Sequence, residues 1–153
     1  MSSWFGREPK PAPAIAAGDL EIGQPWGRLS VRMPLHLGGF FVVVNKGATP
    51  DRLLAASSPL ADKVEIHAIK VAGADIRMLA VDKGLVVEAG GTLTLKPRGY
   101  HLLLSGMARP PAVGGQVPVT LRFEKAGKVD IKLAMAAPGL VGEEILDDEA
   151  HRG

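Results

Sequence analysis

The feature that most constrains this 153-residue chain is a succession of short β-forming segments separated by glycine and proline. Between residues 19 and 135 no stretch has the apolar period of an amphipathic helix. Turn-forming residues, drawn from 19 glycines and 12 prolines, separate the segments instead. Short strands with this spacing are typical of a β-sandwich or barrel, so the sequence predicts an all-β domain.

Alternation of apolar and polar residues locates the individual strands. In residues 119–124, Val, Leu and Phe alternate with Thr, Arg and Glu, which predicts one buried and one exposed face. Residues 125–128 then predict a hairpin turn. The ten strands expected on this basis cover residues 19–22, 29–33, 40–45, 52–57, 63–71, 76–81, 92–95, 100–105, 117–124 and 128–135.

The length and the 46% hydrophobic content suit one domain with one core. We expect this domain to cover residues 19–136. Before it, the Pro- and Ala-rich residues 1–18 predict a flexible, extended segment. After it, residues 137–153 form an acidic tail that is predicted to be a solvated end.

Composition and motifs exclude several functional classes. The net charge is +2 and the basic residues are scattered, so nucleic-acid binding is not expected. No apolar run reaches the roughly 20 residues of a membrane helix, so no membrane insertion is expected. Residues 1–18 do not contain the apolar run of ~7 to 15 residues that a secretory signal peptide needs, so export by a signal within this segment is not expected. No nucleophile elbow, phosphate-binding loop or His-Glu-x-x-His helix is present, so the protein is not expected to be an enzyme.

Three soft donors stand out as candidate metal ligands: His67, Met78 and His101. The chain has no cysteine, so any soft metal would have to be bound by histidine and methionine. Two imidazoles and a thioether together suit Cu(I). The pattern therefore indicates a copper site.

Strand geometry explains how these donors could meet. Side chains two apart on a strand project from the same face, so His101 and Leu103 are expected to be neighbours. In the preceding strand His67 should point away from the apolar face that Val64 and Ile66 form. The strand of Met78 is expected to pair with that of His67 as a hairpin, which returns the thioether toward the imidazole.

Several segments resemble, in content and order, the PCuAC family of periplasmic copper chaperones. The family motif is a histidine, then a methionine, and further on a His-x-Met. The resemblance extends over residues 19–135 and is carried by residues 39–47, 51–59, 64–67, 90–101 and 119–127. It implies a cupredoxin-like Greek-key β-sandwich in the periplasm that binds Cu(I). It also implies delivery of the copper to a respiratory oxidase, with the copper-binding subunit of that oxidase or its assembly proteins as partners.

Carried over residue by residue, His67, Met78 and His101 match the motif, whereas Leu103 replaces its last methionine. Two imidazoles and one thioether still suit Cu(I), and Leu103 would shield one side of the ion. The loss of this thioether would leave one coordination position open, so binding of Cu(II) in addition to Cu(I) is an alternative.

Met33 and His36 are the candidates for replacing the lost ligand. We expect the ion to lie near one end of the sandwich, exposed enough for ligand exchange with an acceptor. The alternative is a degenerate member of the family that no longer binds copper and serves as a protein-interaction module.

Overall fold

The computed structural model describes residues 14–31, 35–72, 75–139 and 141, and for residues 70–72 and 75–79 it describes the backbone alone. These residues form eleven strands and no helix, hence none that could cross a membrane. The strands are β1 (Ile15–Ala17), β2 (Leu20–Leu29), β3 (Leu37–Asn45), β4 (Asp51–Ser57), β5 (Lys63–Ala72), β6 (Asp75–Ala80), β7 (Leu85–Val87), β8 (Thr92–Leu95), β9 (His101–Ser105), β10 (Gln116–Phe123) and β11 (Gly127–Met135). The predicted all-β, cupredoxin-like fold is confirmed.

The strands form one curled, mixed sheet in the order β6-β5-β9-β3-β2-β11-β10-β4-β7, while β1 pairs with β2 and β8 pairs with β3. The pairing of β11 with β2 is parallel, and the other pairings between these strands are antiparallel. Many neighbours in the sheet are distant in sequence, as β9 and β3 are. Long-range pairing therefore decides which side chains become neighbours.

The sheet curls so that its inner face encloses one apolar core. In β10 the predicted alternation is present, because Val119, Leu121 and Phe123 are buried while Arg122 is exposed. The core combines residues of β2, β3, β4, β9, β10 and β11. Its largest fully buried side chains include Phe41, Phe123, Leu20, Ile22, Leu53, Leu102, Leu104, Leu121 and Ile131.

The predicted hairpin between β10 and β11 is present, and Gly127 adopts a φ of 79° where β11 begins. A buried carboxylate secures this turn. Asp51 Oδ1 accepts a hydrogen bond from the backbone N–H of Lys125 (2.8 Å), and Oδ2 accepts one from Ala126 (3.0 Å). These bonds join the turn to the start of β4.

The predicted separate strands 19–22 and 29–33 were wrong, since the single strand β2 runs from residue 20 to residue 29. An irregularity in its pairing with β3 lies between Gly23 and Trp26, where Gln24 has a φ of 51°. Pro25 has no N–H to donate, so the chain bulges and then resumes pairing. Residues 32–34 lie outside the described part of the chain.

Two short strands, β1 and β7, were missed. Each has three residues, too few for alternation to be recognised. β1 lies in the segment predicted to be flexible and pairs with β2, with Ile15 opposite Ile22. The strand predicted from residue 100 begins one residue later, at His101, and Tyr100 is 42% exposed.

A second, smaller apolar cluster lies on the outer face of the sheet. It consists of Phe40, Leu103 and Val141, with Trp26 packed against it. The chain beyond β11 reaches this face by hydrogen bonding next to β2: Gly139 donates to the Leu29 carbonyl at 2.9 Å. Val141 is thereby fully buried, although it lies after the last strand.

Gly38 on β3 permits this packing, and its replacement should be costly. A methyl group at residue 38 would lie 2.5 Å from Val141 Cγ1 and 2.9 Å from Phe40 Cζ. We expect Gly38→Ala to lower the free energy of unfolding by about 1–3 kcal/mol through overpacking. Gly23→Ala is the matched control on a neighbouring strand, because nothing lies within 4 Å of its added methyl group. Urea unfolding of both variants measures the effect, and equal midpoints would contradict this account.

Candidate functional site

His67 and His101 lie directly opposite each other on the antiparallel strands β5 and β9. Their ring centroids are 5.8 Å apart and the ring planes are inclined by 54°. His67 is 8% exposed and His101 is not exposed at all. The structure thus brings the two predicted imidazoles together at the start of β9. Both rings are more deeply buried than expected for a site of ligand exchange, because they lie within the packed outer face.

Hydrogen bonds determine which nitrogen of each neutral ring carries the proton. His67 Nε2 lies 3.2 Å from Glu65 Oε1, and a carboxylate can only accept, so Nε2 is the donor. His101 Nδ1 lies 2.9 Å from the Gly99 carbonyl oxygen and is the donor for the same reason. The lone pairs are therefore on Nδ1 of His67 and Nε2 of His101. Among the described residues, Nδ1 of His67 is buried and has no hydrogen-bond partner.

Glu65 is part of a short charged row along β5. Its Oε2 lies 3.2 Å from Lys63 Nζ, while Oε1 accepts from His67. Burial raises the pKa of the Glu65 carboxyl, but the hydrogen bonds from Lys63 and His67 and the positive charge of Lys63 together outweigh burial. The net pKa of Glu65 is therefore lowered from its ordinary value of 4.5. Sequence reasoning missed Glu65, although its position two residues before His67 was a usable signal.

Apolar side chains border the pair on the other side. Phe40 lies next to His101, with 6.5 Å between ring centroids. Trp26 packs against Phe40 with 4.5 Å between ring centroids and the ring planes inclined by 37°. Leu103 is 5% exposed and packs with Phe40 and Val141. Its position next to His101 on one face agrees with the prediction from strand alternation. An apolar wall of this kind excludes water from one side of the imidazole pair.

Met78 lies on β6, which forms the predicted hairpin with β5. The backbone of Met78 pairs with that of Ile69, which lies two residues after His67 on β5. His67 itself pairs with Ala80. Met78 is thus a diagonal neighbour of His67, and such backbones are about 7–8 Å apart, within reach of a long side chain. The side chain of Met78 lies outside the described part of the structure.

The structure does not place either Met33 or His36, the candidates for replacing the lost methionine, at the histidine pair. Met33 lies outside the described residues. His36 precedes β3, four residues before Phe40, whose ring lies next to that of His101. Four residues of strand span about 13 Å, so His36 is well removed from the two rings.

The donor set suits a soft metal better than a hard one. Across the described part of the chain, no three His, Cys, Asp or Glu side chains converge as a metal-binding group. Met78 carries a soft thioether, and by strand register its backbone lies diagonal to that of His67 on the neighbouring strand β6.

Residues 20–135 match the protein family described as "Putative lipoprotein LpqE-like". The chain belongs to this family. A curated relative of the LpqE-like chain, "Putative lipoprotein Lxx21020" from Leifsonia xyli subsp. xyli, is 32% identical over 81 residues. That match covers 53% of the present chain and 49% of the relative, so it spans about half of the relative's length.

Solved structures similar to the LpqE-like chain are PCuAC domains, which confirms the resemblance found in the sequence. The copper-bound PCuAC domain from PmoF2 is 28% identical with a TM-score of 0.69, over 83% of this chain and 100% of that domain. The apo PCuAC domain from PmoF1 is 27% identical with a TM-score of 0.70, over 82% and 99%. Apo-DR1885 from Deinococcus radiodurans, at 23% identity and a TM-score of 0.60 over 85% and 89%, supports the fold alone.

Removing Lys63 from the LpqE-like protein should raise the pKa of Glu65, because burial would then be opposed by His67 alone. A lowered pKa stabilises the folded protein above pH 4.5, and this contribution is lost as the pH falls through the folded-state pKa. The Lys63→Ala variant should therefore lose less folding stability than the wild type when the pH is lowered through this range. Carboxyl carbon NMR titration measures the pKa directly. Lys46→Ala is the control, because Lys46 pairs with Glu21 instead (2.7 Å); an unchanged Glu65 pKa in Lys63→Ala would contradict the assignment.

Proposed function

We propose that the protein is a copper-binding metallochaperone in which Nδ1 of His67, Nε2 of His101 and the thioether of Met78 bind Cu(I). The observation that supports this most strongly is the state of the two rings. Each is buried, and each has one N–H bound to a carboxylate or a backbone carbonyl. Histidines that ligate metals usually hold their second nitrogen in this way.

The chemistry of the donors favours Cu(I). Thioether sulfur is a soft ligand that binds Cu(I) well, and neutral imidazole accompanies it readily. The apolar wall of Phe40 and Leu103 keeps one side of the ion dry. Cu(II) prefers more nitrogen and oxygen ligands in tetragonal geometry and would be held less well by this set. The copper-bound PCuAC domain from PmoF2 gives independent support, because it shares this fold at 28% identity.

A carrier must also release its cargo. His67 keeps 8% of its surface exposed whereas His101 keeps none, so the ion would enter and leave on the side of His67. In the strand order of the described residues, β6 alone lies outside β5 on that side, so an acceptor would approach across this edge. No part of this transfer requires an acid, a base or a nucleophile, which fits a binding protein better than an enzyme.

The proposed acceptor is a copper centre of a respiratory oxidase, reached directly on its copper-binding subunit or through assembly proteins. The supporting argument is the resemblance to PCuAC domains. An extracytoplasmic, periplasmic location is proposed on similar grounds, since the relatives of this chain are described as lipoproteins.

An anaerobic Cu(I) titration in competition with a chromogenic chelator tests the binding step. We expect one equivalent to be retained by the wild type and lost in the double variant His67→Ala, His101→Ala, because both nitrogen ligands are removed. His36→Ala is the matched control and should retain copper. Circular dichroism checks that each variant is folded. Failure of the wild type to take up copper would contradict the proposal and favour the protein-interaction module.

Leu103→Met tests the position of the lost ligand. Leu103 shares the outer face with His101, so a thioether there should tighten Cu(I) binding, by roughly tenfold for ~1.4 kcal/mol gained. The exchange nearly conserves volume and should cost under about 1.5 kcal/mol of stability. Leu103→Ile serves as the control, because it adds no donor. The same competition titration measures the dissociation constant, and an unchanged value would place residue 103 outside the coordination sphere.

A further inference from the structure

Glu65 is held from two sides along β5. Its Oε1 lies 3.2 Å from His67 Nε2, and its Oε2 lies 3.2 Å from Lys63 Nζ. Residues 63, 65 and 67 alternate along one strand and therefore share a face. Because the contact with Lys63 restrains Oε2, the other carboxylate oxygen, Oε1, meets the imidazole of His67 in a defined direction.

This arrangement has a consequence for the ring of His67. With the proton on Nε2 and directed at Glu65, the lone pair is on Nδ1, which is buried and has no hydrogen-bond partner among the described residues. His101 is arranged in the opposite sense, because its Nδ1 faces the Gly99 carbonyl. The two rings therefore present different nitrogens, and on His67 the choice is made by a side chain.

We propose that Glu65 is a positioning residue, which selects Nδ1 of His67 as the metal-binding nitrogen and holds the ring in place. The inference rests on the proposed copper site, although the state of the ring can be measured without metal. Glu65 acts through His67, since its two oxygens face His67 and Lys63.

The neighbour across the strand favours this role. Glu65 is paired in register with Leu103, whose side chain can neither donate nor accept a hydrogen bond. Leu103 therefore offers the Glu65 carboxylate no hydrogen bond that would compete with the one from His67. The leucine that replaces the motif methionine thus borders the Glu65–His67 pair.

The first test is made on the apo protein. Long-range ¹H–¹⁵N NMR of the imidazole rings shows which nitrogen carries the proton. We expect the proton of His67 on Nε2 in the wild type and in Glu65→Gln, because the amide oxygen of glutamine still accepts. In Glu65→Leu the preference should be lost. A proton on Nδ1 of His67 in the wild type would overturn the inference without recourse to any variant.

The second test is the anaerobic Cu(I) titration against a chelator. Glu65→Leu should weaken Cu(I) binding by about 10–100-fold, the usual effect of losing a partner of a ligating histidine, while Glu65→Gln should stay close to the wild type. Glu21→Leu is the matched control, because it also removes a strand carboxylate paired with a lysine. It should change neither the His67 ring nor the affinity.

Two results of the titration would overturn the inference. The first is a Cu(I) affinity of Glu65→Leu equal to that of the wild type. The second is an affinity of Glu65→Gln as low as that of Glu65→Leu, because this result would make Glu65 a direct ligand of the metal. If the wild type binds no copper but Glu65→Leu still alters the ring of His67, the proposed function fails while the positioning role of Glu65 stands.

Discussion

The register between β5 and β9 is the constraint on which the candidate site depends. It places Ile66 opposite Leu102 and His67 opposite His101. The first pair belongs to the inner core and the second to the outer face. Because strand side chains alternate, a slip of one residue would expose the leucine and bury one imidazole against the core. Burial of Ile66 and Leu102 therefore fixes the histidine pair, although neither residue could contact a metal.

The outer face is unusual in being apolar near the histidines. Phe40, Leu103 and Val141 form a closed cluster beside them, and Val141 reaches it only because Gly38 has no side chain. The packing that stabilises the chain beyond β11 also borders the candidate site. A change at residue 38 or 141 would therefore alter both the packing of the fold and the wall next to His101.

The two imidazole rings have different kinds of hydrogen-bond partner, and the positions of the two histidines in their strands explain the difference. His101 is the first residue of β9, so a carbonyl of the preceding turn, that of Gly99, lies within reach of its ring. His67 lies inside β5, where backbone carbonyls are used in pairing, and a side chain is needed instead. Glu65 supplies it from the same strand face. A substitution could therefore abolish the partner of His67, whereas the backbone partner of His101 is present whatever residue occupies position 99.

The sequence by itself determined the all-β class, the β10–β11 turn, the β5–β6 hairpin and the common face of residues 101 and 103. Each of these follows from alternation or turn chemistry over a few neighbouring residues. The donor chemistry of a chain without cysteine singled out His67, Met78 and His101, and the family resemblance then matched them to a copper motif. Only the tertiary structure decided the pairing of β5 with β9, the bulge in β2, the partners of the imidazoles and the burial of Val141. These features depend on long-range pairing and on the space left between strands, and local alternation carries no information about either.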